Sequence, residues 1–129
     1  MLKETVLREH GIDMSEGLAY CADDPEFYEE MLREYVIEGQ DKTGELREFF
    51  ASEDWSNYAI RAHSVKNTSK MIGAEELSEQ ARALELAAKE LVPENSAAKE
   101  QNAAAVREMH EDFLDAYQHL LGALDEMLG

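Results

Sequence analysis

A histidine stands in the middle of a stretch kept free of acid. The twenty residues from Trp55 to Ala74 hold no Asp or Glu, although the chain average, 29 acids in 129 residues, would place about four or five there. They hold three bases, Arg61, Lys66 and Lys70. On a helix, Lys66 and Asn67 lie one turn from His63 and Lys70 lies two turns away on the same face. Ser56, Ala59 and Ile60 on that side are small or apolar. The imidazole would therefore stand up from a low surface that another protein could approach. Acceptance of a phosphoryl group is the chemistry this suits. A free histidine titrates near pH ~6.5, so a neutral, nucleophilic ring nitrogen is available near neutrality, and neighbouring ammonium groups offset the incoming negative charge. No acid nearby is expected to compete with the phosphate. On spacing alone, the pattern fits an ordinary surface histidine on a lysine-solvated helix at least as well.

The elements that must position these residues are helices. Only two prolines occur, Pro25 and Pro93, glycine is sparse, and apolar residues recur at three- and four-residue steps. A short amphipathic stretch runs around Ser15 to Cys21. Asp24 and Pro25 then open a helix whose stripe reads Tyr28, Met31, Tyr35, Leu46 and Phe50. Its register persists across Gly39 and Gly44 to about Ser52, although each glycine costs about 1 kcal/mol relative to alanine. Asp54 caps the next helix, with Tyr58, Ala62, Val65, Ser69 and Ile72 on its seam and Gly73 as its stop. Leu77, Ala81, Leu84, Ala88 and Leu91 make a third seam, broken by Pro93 through Ser96. The last helix, about 96–128, carries Val106, Met109, Phe113, Tyr117, Leu120, Leu124 and Met127. Four seams with short connections predict an all-α fold, an antiparallel four-helix bundle with a short extra N-terminal helix, forming one domain over 1–129.

Several residues of the acid-free helix and its neighbours resemble the histidine-containing phosphotransfer (HPt) domain. The likeness runs through Ala62-His63-Ser64-Val65-Lys66-Asn67-Thr68-Ser69, then Ile72-Gly73-Ala74, Leu77 and Leu84-Glu85, in order and at the family's spacing. Upstream, Gly11-Ile12-Asp13, the Tyr28 to Val36 segment and Asp54-Trp55 also match, so the resemblance covers most of residues 11–91. The final helix matches only in kind. The resemblance implies that His63 is the phosphoacceptor through Nε2 and that Lys66 stabilises the phosphoryl group. It places Ala59, Ile60, Asn67, Ser69 and Lys70 on the phosphate and partner surface. Asn67 stands where the family usually has glycine; because asparagine is small and can hydrogen bond phosphate, retained activity with altered partner preference is expected. The implied partners are response-regulator receiver domains or a hybrid sensor histidine kinase. The magnesium that transfer requires would belong to the receiver, so the chain itself needs no cofactor. It would be a phosphoryl carrier rather than an enzyme. No glycine-rich nucleotide loop is present to support phosphorylation from ATP.

Other function classes fare worse. A charge of −17 repels nucleic acid and anionic lipid, and no apolar run approaches the ~18 residues of a membrane span. The N-terminal residues lack the features of a secretory signal, and Cys21 is the only cysteine, so a cytoplasmic chain without an intrachain disulfide is expected, and the acidic surface and self-sufficient bundle favour a monomer. A di-metal bundle would want Glu-x-x-His pairs, but Leu7, Ile60, Arg107 and Ala116 precede the four histidines by three. His110 and His119, nine residues apart, face opposite sides of one helix and are expected to be solvated or satisfied at the core edge. The rival reading is a helical adaptor of the same fold that binds receivers through the Ile60 and His63 face without transfer.

Overall fold

The computed structural model describes residues 2–92 and 99–129. Among them are six helices and no strand: α1 (Glu4–Glu9), α2 (Met14–Tyr20), α3 (Pro25–Ala51), α4 (Trp55–Met71), α5 (Glu75–Lys89) and α6 (Lys99–Leu128). The four long helices form the bundle. α4 lies between α3 and α5, and α6 closes the square against α3 and α5. The expected break at Pro93 through Ser96, and the start of the last helix near 96, lie outside the described residues.

Helix starts and stops follow the chemistry of their ends. Asp24 caps α3 by accepting from the backbone N–H of Glu26 and Phe27, with Pro25 behind it. Asp54 caps α4 through the N–H of Asn57. α4 ends in a Schellman turn. The Ala74 N–H donates to the Ser69 carbonyl and the Gly73 N–H to the Lys70 carbonyl, with Gly73 at φ +91°. The Asp13 N–H donates to the Gly73 carbonyl at 2.9 Å, and a Cβ on Gly73 would lie 2.1 Å from the Asp13 carbonyl oxygen. Only glycine fits this turn, for its dihedral and for its neighbour. The segment before α2 is thus tied to the end of α4.

The long α3 does run unbroken through both glycines, for 27 residues. Gly39 has a packing reason: a Cβ there would meet Leu121 Cδ2 at 2.5 Å, so its absence lets α6 approach. The core side of α3 is made by Tyr28, Leu32, Tyr35, Val36 and Leu46, whereas Met31 and Phe50 only pack against its edge. The seams expected for α4 and α5 are buried throughout. In α6, Val106, Phe113, Tyr117, Leu120 and Leu124 are buried, while Met109 and Met127 are partly covered gap fillers.

Two differences concern the N-terminus and the polar pins. α1 was not expected from sequence: it has six residues, no side-chain cap and a single buried residue, Leu7, too few to register as a stripe. Buried tyrosines also fasten the helices to one another. The Tyr28 hydroxyl donates to the Ile72 carbonyl at 2.8 Å, Tyr35 meets Ser69 Oγ at 2.7 Å, and Tyr58 meets His110 Nδ1 at 2.7 Å. No helix of the described residues is long and apolar enough to cross a membrane.

Candidate functional site

His63 projects from the exposed side of α4, its side chain 51% accessible. Behind it, the adjacent helix delivers a carboxylate. Glu85 of α5 places Oε2 2.8 Å from His63 Nδ1 and 2.9 Å from Lys89 Nζ, while its Oε1 lies 3.1 Å from Lys66 Nζ. The Glu85 side chain is only 4% accessible, so one buried carboxylate gathers two ammonium groups and an imidazole. Burial by itself would push this carboxyl's pKa up. The hydrogen bonds from Lys89, Lys66 and His63 outweigh burial and hold the pKa down at about 2.

Glu85 is therefore ionised at neutral pH and can only accept. The hydrogen of the His63–Glu85 bond must sit on Nδ1, which leaves Nε2 of a neutral ring with its lone pair turned outward. The helices that hold this geometry are pinned close by, where the Ser78 hydroxyl of α5 donates to the Lys66 carbonyl of α4 at 2.8 Å. A shallow groove lined by Ser56, Ala59, Ile60, His63, Glu85, Lys89 and Val92 runs beside the ring. Ile60 and Val92 expose about half of their surface there, at 57% and 48%.

The structure redistributes the residues expected at this surface. His63 and Lys66 are brought together as expected, through their shared Glu85. Asn67 is exposed one turn on, its side-chain nitrogen 3.1 Å from His63 Nε2. Ile60 is exposed, but Ala59 is buried and contributes only to the groove floor. Ser69 is a correction: it is fully buried, and its hydroxyl is engaged with Tyr35, because its place on the seam outweighs its polarity. Lys70 shares the His63 face but stands two turns away, on the order of 10 Å along the axis. Its charge acts instead on Glu16 of α2, whose pKa Glu75 raises and Lys70 partly lowers.

The expectation that no acid approaches the histidine is also overturned. The acid-free run describes α4 alone, and a neighbouring helix supplies the acid from below. Glu85 and Lys89 were missed as site residues. Their signals were the Leu84-Glu85 step and a Glu-to-Lys spacing of four along α5. The other histidines stand apart from the site. His110 is buried and stacked on Phe50 with ring centroids 3.9 Å apart, while His119 lies beside His10. Among the described residues, no group of three or more His, Cys, Asp or Glu is placed to hold a metal ion.

The Hpt domain family model matches residues 30–128. No curated protein and no solved structure matches the chain. The matched span takes in all four bundle helices from early α3 to the end of α6, and with them His63, Lys66, Glu85 and Lys89. The chain belongs to the Hpt domain family, whose members carry phosphoryl groups on histidine in two-component phosphorelays.

Proposed function

We propose that this chain is a phosphoryl carrier in which His63 accepts a phosphoryl group from an aspartyl phosphate of a receiver domain and passes it to another. The observation that carries this reading is the Glu85 contact on Nδ1, which turns the nucleophilic lone pair outward at Nε2. In the transfer, that lone pair forms the N–P bond. The P–O bond to the donor aspartate breaks, and its electron pair leaves on the carboxylate. The Nδ1 proton stays against Glu85, which stabilises the positive charge that develops on the ring. Lys66 and Lys89, held beside the ring by the same carboxylate, meet the arriving phosphoryl oxygens.

Most of the catalysis of phosphoryl transfer is positioning and charge stabilisation, and much of both is assigned here to the partner, with its magnesium. The chain contributes a nucleophile that does not have to be reoriented. Receivers dock over the groove beside Ile60 and Val92, whose exposed apolar side chains suit a partner surface.

The test is transfer from a phosphorylated receiver, with magnesium, to the wild-type chain and to His63→Gln, followed by intact mass and acid lability. An acid-labile phosphate on the wild type alone is expected. Binding to receivers without any transfer would leave a docking adaptor in place of a carrier.

A further inference from the structure

The hydrogen bond on the other side of the ring points to a role for Asn67. Its side-chain nitrogen lies 3.1 Å from His63 Nε2, where glycine in the family's pattern would offer nothing. The direction of the bond follows from Glu85. Because Nδ1 holds the ring hydrogen, Nε2 of the neutral ring must accept, and the Asn67 amide must donate. The ring nitrogen has one lone pair, lying in the ring plane. A hydrogen bond to it and an N–P bond exclude one another.

We infer that Asn67 is a phosphoryl-binding residue whose amide is parked on Nε2 in the empty protein and moves to a phosphoryl oxygen when His63 is loaded. This deepens the carrier function proposed above and rests on it. The residue is exposed on the last half of α4, so its side chain is free to swing by the short distance required. The exchange is not neutral. The parked bond joins two uncharged groups, whereas the bond after transfer joins the same amide to a doubly charged oxyanion, and charge-assisted bonds are roughly twice as strong. Asn67 therefore favours the loaded over the empty protein. A relative with glycine at this position gains nothing from it in either state. The transfer equilibrium with a given receiver is displaced toward phosphohistidine in this chain.

The experiment mixes a phosphorylated receiver, with magnesium, with wild type, Asn67→Ala and Asn67→Asp, and measures the phosphate on each partner at equilibrium by intact mass. Alanine removes the amide and suits a helix interior, so the variant keeps its fold, which circular dichroism checks. The equilibrium constant for loading should fall about fivefold in Asn67→Ala. It should fall further in Asn67→Asp, where a carboxylate faces the phosphate. The wild-type Asn67 side-chain amide protons should also move in the NMR spectrum on loading, as they change acceptor. An unchanged constant, or one shifted toward the loaded form in Asn67→Ala, overturns the inference while leaving His63 as the acceptor. Failure of all three proteins to take up phosphate overturns the carrier function and this inference with it.

Discussion

His63 and His110 are the same side chain in opposite settings. Each has its Nδ1 within 2.8 Å of an oxygen from another helix, Glu85 of the adjacent α5 for the first and, for the second, the Tyr58 hydroxyl reaching across the bundle from the diagonally placed α4. His63 nevertheless stands half in water, over a carboxylate that two lysines also share. His110 is 2% exposed, stacked on Phe50 and edged by Tyr58. Burial pushes the His110 pKa down, Glu111 offsets this in part, and Arg47 adds to it. A ring in the core is a neutral packing unit, whereas the ring over a buried anion is held in one orientation with Nε2 on the solvent side. The partner of Nδ1 and the access to Nε2 separate the two, and neither is visible in the residue type.

Exchanging the damage between the two rings sharpens the contrast most. His63→Gln should lose phosphate uptake altogether while shifting stability by no more than about 0.5 kcal/mol, since half of the side chain is already in water. His110→Ala should do the reverse. The cavity and the orphaned Tyr58 hydroxyl should cost about 3 kcal/mol in denaturant unfolding, with the transfer rate of the folded protein nearly unchanged. A stable but inactive His110→Ala would break the division of labour.

A smaller effect is expected from the support beneath His63. Glu85→Ala removes the acceptor of Nδ1–H and frees both lysines, and should slow transfer by about tenfold without abolishing it. Wild-type rates in that variant would leave Glu85 a packing residue. Smallest is the response to acid. His110 has a folded pKa below its unfolded value, so the unfolded chain takes up its proton first as pH falls below about 6.5. Its contribution to stability is complete above that pH and is lost progressively below it. The melting temperature should decline from about pH 7 to about 5.5 in wild type and more gently in His110→Gln. Equal slopes would place the acid sensitivity elsewhere. Glu85 acts in a lower window, with stability that is full above its unfolded value near pH ~4.5 and lost on the way down to about 2.

Much of this was legible in the chain. The α4 seam, the Asp24 and Asp54 caps and the Gly73 stop are short-range patterns, and each stands where spacing places it. The pairing of His63 with Lys66 and Asn67 follows from one turn of helix. What escaped belongs to contacts between helices. Glu85 lies 22 residues after His63, and nothing in an α5 stripe says that its carboxylate points into α4. Ser69 was legible twice, as a seam position and as a surface hydroxyl, and packing chose the seam through Tyr35. Gly39 reads as a flaw in a helix until Leu121 is seen against it.

The turn between α4 and α5 bears on how such a chain can change its length. Ile72, Gly73 and Ala74 are the whole connection, and its ends are tied by the Schellman bonds, by Asp13 and by the Ser78–Lys66 bond. One residue inserted within the helical stretches between Lys66 and Glu85 would turn Glu85 by about 100° and shift it by about 1.5 Å along the helix axis unless those ties gave way. Glu85 would then leave Nδ1. Descendants of this sequence can replace many surface residues around His63, but insertions and deletions between Lys66 and Glu85 are closed to them, so the spacing of that segment should drift more slowly than its composition.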